Sequence, residues 1–190
     1  MPMNLLHRWI CNSAKWSATV EQQLLPWALD GVEFGTDVLE IGPGFGATTR
    51  VLVRRAPRLS VVEIDRDSAQ RLHRTYGDSV EVVHADATAM PLPDQGFDTV
   101  VCFTMLHHVP TIEAQDRLLA EAFRVLRPGG QFAGCDSLTS RRFRMLHIGD
   151  ICVTVPPESM AERLRKAGFD VQEVSVGRAG RSFRFRAVRP

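Results

Sequence analysis

Nowhere in this 190-residue sequence does an apolar run reach the ~18 residues that a membrane-spanning helix needs. The opening stretch does not read as a secretory leader either, because His7, Arg8, Asn12 and Lys15 interrupt its apolar residues. Cysteine is scarce: Cys11, Cys102, Cys135 and Cys152 stand far apart, with no CxxC pair and no Cys/His cluster at zinc spacing. This argues against a disulfide framework and for reduced thiols in a cytoplasmic setting, with no metal site written into the sequence. An excess of charge is missing too. The 23 basic and 22 acidic residues leave a net +1, which argues against nucleic acid or acidic lipid as the partner. Repeats, low-complexity tracts and linker-like stretches are absent, so residues 1–190 read as one domain.

What remains is the composition of an ordinary globular domain, 44% hydrophobic and 24% charged, long enough to bury a full core. Strand-like runs are expected at Val38–Ile41, Leu59–Ile64, Val80–His84, Phe97–Phe103, Gln131–Cys135, Val171–Val176 and Ser182–Val188. Helix-like periodic segments are expected at Ala47–Arg55, Ser68–Tyr76, Ile112–Leu126 and Pro157–Ala167. In the longest of these, Leu118, Leu119, Ala122, Val125 and Leu126 recur at three-to-four spacing, and Pro128-Gly129-Gly130 should end the helix. The alternation predicts a parallel α/β sheet. The short Gly177–Gly180 link leaves no room for a crossover helix, so the last two strands should form an antiparallel hairpin.

Two segments stand outside this rhythm. Residues 1–33 read as an amphipathic helical cap ahead of a core at 34–190, with Leu5, Leu6, Trp9, Ile10, Val20, Leu24, Leu25 and Trp27 as its apolar set. They either cover the sheet or, through Trp9 and Trp16, form a lid on an apolar pocket. Residues 138–156 make a connection long enough to be a lid or binding loop.

The strongest local signal is Val38-Leu-Glu-Ile-Gly-Pro-Gly-Phe-Gly-Ala-Thr-Thr49, a buried strand running into a glycine-rich turn and then a helix. Glycine at 42, 44 and 46 lets backbone approach a ligand closely. With Ala47 the loop also satisfies a dinucleotide fingerprint, and Glu63, 21 residues after Gly42, suits a ribose diol in either kind of site. The next pieces decide between them. Ala85-Asp86-Ala87, the Met90-Pro-Leu-Pro-Asp-Gln-Gly-Phe-Asp98 stretch, Leu106-His-His-Val109 and Arg124-Val-Leu-Arg-Pro-Gly-Gly130 follow in order. Together with Leu39–Gly46 and Glu63, they resemble the class I S-adenosylmethionine-dependent methyltransferases, in the small-molecule branch related to the ubiquinone and menaquinone methyltransferases.

That resemblance implies a Rossmann-like three-layer sandwich, with a seven-stranded, mostly parallel sheet and a C-terminal antiparallel hairpin. It implies S-adenosylmethionine as cofactor and a small-molecule acceptor. Gly42, Gly44 and Gly46 would pass under the methionine moiety, with Glu40 near its ammonium. Glu63 would hold the ribose hydroxyls and Ile64 would pack on adenine. Asp86 would accept from the adenine amino group, and the Ala87 N–H would donate to the ring. Asp65 is a rival to Glu63, and motif register favours Glu63.

Methyl transfer from a sulfonium asks the protein mainly to align three atoms and exclude water, so no catalytic triad is needed. His107 is the expected acid/base residue, because the matching position in related enzymes borders the transferred methyl. His108, His147, Asp150 and Asp136 are lesser candidates. Phe183, Phe185 and Ala187 alternate with Arg184 and Arg186, the pattern of a half-exposed strand more than of a nucleic-acid surface. Arg141, Arg142 and Arg144 read as a solvated loop.

Two other readings compete with this one. The strand end Glu63–Asp67 is also similar to that of ribosomal RNA adenine dimethylases. Those carry an Asn/Asp-Pro-Pro-Tyr type motif where this chain has Phe103-Thr-Met-Leu106. A non-catalytic binding protein of the same fold would keep the cofactor residues and transfer nothing.

Overall fold

The computed structural model describes residues 4–177 and 180–190, and of Leu5 the backbone alone. The Leu5 side chain and the middle of the Gly177–Gly180 link therefore lie outside the described residues.

Two short helices open the chain, α1 (Leu5–Cys11) and α2 (Ala14–Thr19), capped by the side chains of Asn4 and Ser13. A π turn over Val20–Leu24 then runs into α3 (Leu25–Ala28). Pro26 explains the widened turn: a proline has no N–H, and its ring would clash with the carbonyl four residues back. β1 (Asp37–Ile41), α4 (Thr49–Leu52), β2 (Arg58–Glu63), α5 (Arg66–Tyr76) and β3 (Val80–His84) follow. Next come β4 (Phe97–Phe103), α6 (Ile112–Val125), β5 (Leu126–Ser137), α7 (Arg141–Leu146), α8 (Pro157–Lys166), β6 (Asp170–Gly177) and β7 (Ser182–Val188).

The sheet has the order β3-β2-β1-β4-β5-β7-β6, parallel through β5, with β7 antiparallel to both neighbours. One face packs on α6 and α8 through Leu118, Leu119, Phe132, Met160, Leu164 and Phe183. The other packs on the N-terminal segment and on α4 and α5, through Val20, Leu24, Leu25, Leu52, Val61 and Leu72. The three layers expected from the sequence are present, and no helix among the described residues is long and apolar enough to cross a membrane.

Two local expectations need correction. The Ala47–Arg55 helix shrinks to Thr49–Leu52 between turns. Pro128-Gly129-Gly130 does not lie outside the sheet. β5 begins at Leu126, directly after α6, and the register jumps from Phe97↔Leu126 to Thr99↔Gln131, so this tripeptide bulges out within the strand. Arg127 in the bulge binds Asp98 at 2.5 Å and Asp37 at 3.0 Å, and Asp98 also accepts the N–H groups of Thr36 and Asp37. The motif aspartate Asp98 thus ties together the sheet edge that faces away from the strand C-termini, where ligands bind in this fold class.

The N-terminal segment divides in function. Val20, Leu24, Leu25 and Ala28 are core, whereas Leu6 is 57% and Trp9 71% exposed. The basic side of β7 is used internally: Arg184 donates to the Trp27 carbonyl at 2.6 Å and to Glu173 at 2.9 Å, and Arg186 donates to the Gly31 carbonyl.

Candidate functional site

At the C-terminal ends of β1, β2 and β4 a cleft opens where the strand order reverses. Its floor is the glycine loop. Gly42 and Gly44 have φ of +66° and +55°. A side chain at Gly44 would meet nothing within 4 Å and would project into open space. Gly46 departs from expectation: it faces α5, where a Cβ would come within 2.9 Å of Leu72, so its role is helix packing.

Glu63, at the end of β2, is buried and borders the cleft. Its carboxylate accepts the Gly44 N–H and the Asp65 N–H, both at 2.8 Å. Burial pushes its pKa up, and those two backbone donors oppose the shift. Asp65 also borders the cleft, yet its carboxylate caps α5 through the Ser68 N–H at 2.9 Å. Ile64, 44% exposed, presents an apolar surface between the two acids and extends into a pocket shared with Asp86 and Ala87. Asp86 is exposed at that rim, and its Oδ1 accepts the Thr88 N–H at 2.8 Å. Arg124 fixes the following loop by donating to the carbonyls of Met90 and Leu92 and to Asp94.

Glu40 lies elsewhere. It is fully buried behind the loop, accepting the hydroxyls of Thr48 and of Thr49, the latter at 2.6 Å, and it does not border the cleft. Desolvation raises its pKa to about 7, against the pull of the two hydroxyls, with the Glu63 charge adding to the rise.

The other half of the cleft is lined by Trp16, Phe45, Phe103, Phe143 and Leu146 and by four histidines, His7, His107, His108 and His147. Trp9 is not part of it. His107 sits in a 3-10 turn, Leu106–His108, that follows Met105 and Thr104, and the φ of +50° at Thr104 is strained for a β-branched residue. The buried His107 ring is held by buried Asp136 at the end of β5. Nδ1 is 2.5 Å from Oδ1, and the His107 N–H donates to Oδ2 at 2.9 Å. The sequence named His107 and Asp136 separately, and the structure pairs them.

His147 and Asp150, carried by the 138–156 connection, also reach the cleft region. His147 Nε2 is 3.2 Å from His107 Nε2, and Asp150 Oδ2 is 2.8 Å from His7 Nδ1. Burial lowers the His108 pKa to about 3 and also lowers that of His147, with the neighbouring imidazoles adding to both shifts. Sequence reasoning missed His7 and Cys11. Cys11 borders the same cleft, and burial with the Asp150 charge pushes its thiol up to about 11. The available signal was the amphipathic face shared by His7 and Cys11, one helical turn apart.

A family model described as "Methyltransferase domain" matches residues 39–134. The chain is 37% identical to the ubiquinone/menaquinone biosynthesis C-methyltransferase UbiE of Hahella chejuensis over 109 residues, 53% of this chain and 43% of that protein. It is 34% identical to the ribosomal RNA small subunit methyltransferase A of Cupriavidus pinatubonensis over 143 residues, 65% of this chain and 50% of that protein. The chain thus spans about half the length of the curated relatives it matches. A chain in the solved complex of the Haloferax volcanii Trm112 methyltransferase activator with a methyltransferase superposes over the full length of both, with a TM-score of 0.78 at 18% identity, a likeness of fold.

Proposed function

Because this chain belongs to the class I S-adenosylmethionine-dependent methyltransferases, related to UbiE, we propose that it transfers a methyl group to a small, apolar or amphipathic acceptor. S-adenosylmethionine is the cofactor of that family, and the cleft residues fit it. The open space beside the Gly44 Cα admits a ligand against bare backbone, and Glu63 and Asp86 offer pure acceptors to hydroxyl and amino donors. Gly42 and Gly44 would underlie the methionine moiety, with Ile64 and the Ala87 N–H meeting adenine. When bound, the cofactor supplies a methyl on a sulfonium, a leaving group that needs no covalent help.

The residues of the chain then have three tasks: to align the acceptor, exclude water and take up a proton. Asp136 accepts from His107 Nδ1–H, which leaves Nε2, beside His147 Nε2 in the cleft wall, with the lone pair that would accept the proton. The observation that carries the acceptor class is the lining of this half of the cleft, mainly aromatic and aliphatic, with Thr48, Thr104 and Ser137 as its polar members besides the histidines. Exposed apolar side chains on the same two covering segments support it: Leu6 and Trp9 on α1, and Met145 (68%) and Ile148 (72%) around α7.

The test is methyl incorporation from labelled S-adenosylmethionine into a panel of phenols, quinols, thiols and amines, with ribosomal RNA in parallel. Label in a small acceptor supports the reading, and label in RNA alone overturns it. The identity to a ribosomal RNA methyltransferase makes that arm necessary. Against it stands the turn after β4, Phe103-Thr-Met-Leu106, which has no side-chain amide to hold a target base and whose Thr104 N–H is spent on the Cys135 carbonyl at 2.8 Å.

A further inference from the structure

We propose that His7, His108 and His147 bind a divalent transition-metal ion of the zinc class at the acceptor end of the cleft. Each offers a ring nitrogen, and the three nitrogens lie within 4.8 Å of one another. Tetrahedral zinc with bonds of about 2.0–2.1 Å sets its nitrogen ligands roughly 3.3 Å apart, so the rings need to close by up to about 1.5 Å.

The argument rests on which nitrogen each ring has free. His7 Nδ1 is 2.8 Å from Asp150 Oδ2, His147 Nδ1 2.8 Å from the Phe143 carbonyl, and His108 Nδ1 3.2 Å from the Ile151 carbonyl. A carboxylate or carbonyl oxygen can only accept, so each ring donates its one neutral-form proton there. All three Nε2 atoms are left as lone pairs. This is the outer-shell arrangement that orients metal-binding histidines: N–H toward a carboxylate or carbonyl, the other nitrogen toward the ion.

A second observation comes from His107. Its Nδ1 is likewise committed, to Asp136, yet its Nε2 lies 3.2 Å from His147 Nε2. Two nitrogens that both hold lone pairs repel each other, and a metal ion drawing on the His147 lone pair relieves that contact while leaving the His107 lone pair free. Imidazole ligands without thiolate fit zinc, cobalt, nickel, copper or iron rather than magnesium or calcium.

His108 reaches the cluster from the turn after β4, His147 from the 138–156 connection, and His7 from α1, held in place by Asn4. Asn4 donates its Nδ2 to the Leu146 carbonyl at 2.6 Å and its backbone N–H to Asp150 at 2.5 Å. Three protein ligands leave a coordination position open, as in catalytic rather than structural sites. Its use by the acceptor rests on the methyltransferase reading above. On that reading the acceptor carries a hydroxyl or thiol able to ligate the ion, and His107 stands beside it to receive the proton.

The experiment is a Co(II) titration of the chelator-treated full chain, followed by Zn(II) competition, with S-adenosylhomocysteine calorimetry on the same sample. One equivalent of Co(II), with the visible bands of a four- or five-coordinate ion that Zn(II) displaces, is expected. His7→Gln and His147→Gln should each weaken binding at least about 100-fold, and Asp150→Asn about 10- to 100-fold. His73→Gln, on the exposed side of α5, should change nothing. Because a variant can misfold, the Co(II)-loaded wild-type chain provides an independent readout: three solvent-exchangeable, hyperfine-shifted imidazole N–H signals, one per ligand. No stoichiometric uptake, or uptake without those signals, overturns the site. Cobalt uptake without S-adenosylhomocysteine binding would leave the metal site standing and sink the methyltransferase reading, and the reverse result would do the opposite.

Discussion

The two ends of the cleft are built by opposite means. At the cofactor end, Glu63 reaches Gly44 across 19 residues of sequence and Asp65 across two, and every proposed contact lies on the consecutive turns after β1, β2 and β3. At the acceptor end, His7 meets Asp150 across 143 residues, and His147 meets His107 across 40. One end is a local product of strand and turn. The other is assembled from segments appended to the sheet. A constant ligand can be served by rigid backbone, while a variable one is served by peripheral segments that change without disturbing the core. The electrostatics divide in the same way. Burial acts on both ends, raising Glu40 and Glu63 and lowering His108 and His147, so each end moves toward neutrality from the opposite side.

The largest effect expected from separating the ends is on turnover. His107→Gln should lower methyl transfer by about 10²–10⁴, the range of a lost general base, and leave S-adenosylhomocysteine affinity within about twofold. A variant that loses affinity as well would show that the two ends are not independent. Next is a pH effect confined to the carboxylate buried behind the glycine loop. The Glu40 carboxyl has a pKa of about 7 folded against 4.5 as the ordinary value, so between those limits the folded chain holds more protons than the unfolded one. Its stability therefore falls as pH rises through that window, by about 3 kcal/mol in all. Glu40→Gln lacks that slope, and urea unfolding at pH 4.5 and 8 should show the variant gaining about that much relative to wild type. A flat difference would mean that Glu40 is not held in a dry site.

Glu63→Ala should weaken S-adenosylhomocysteine binding about 10- to 100-fold, the loss of hydrogen bonds to a charged acceptor. Asp65→Ala should instead act on stability, costing about 1 kcal/mol as a lost helix cap. Calorimetry and unfolding on both variants settle which acid serves the ribose. The smallest effect belongs to Trp9→Ala, which should change stability by under about 0.5 kcal/mol, because Trp9 is 71% exposed. Trp16→Ala, in the cleft wall, should raise the acceptor KM by contrast.

These differences also explain what could be read in advance. Strand alternation and the glycine loop are local, so the sheet, its terminal hairpin and the positions of Glu63, Ile64 and Asp86 were legible from residue order alone. Glu40 was legible as a residue but not as a location. The sequence does not say that Thr48 and Thr49 would turn their hydroxyls back beneath the loop. Asp98 stood in a motif without showing that it ties the opposite edge of the sheet. The imidazole cluster was invisible for the same reason that no zinc spacing exists: His7, His108 and His147 have no periodic relation in sequence. Only the docking of α1 against the 138–156 connection brings them together.

That docking has a consequence for how the molecule comes into being and how it breathes. The contacts of Asn4 with Leu146 and Asp150 span more than 140 residues, and such distant pairings are entropically the most expensive to close. The first residues of the chain leave the ribosome long before Leu146 and Asp150 exist, so the five parallel strands β1 to β5 are made before the clasp can shut. What closes last also reopens most cheaply, by local unfolding that spares the core. Hydrogen exchange would see α1 and α7 flicker above a quiet sheet, a door hinged on the chain's own history.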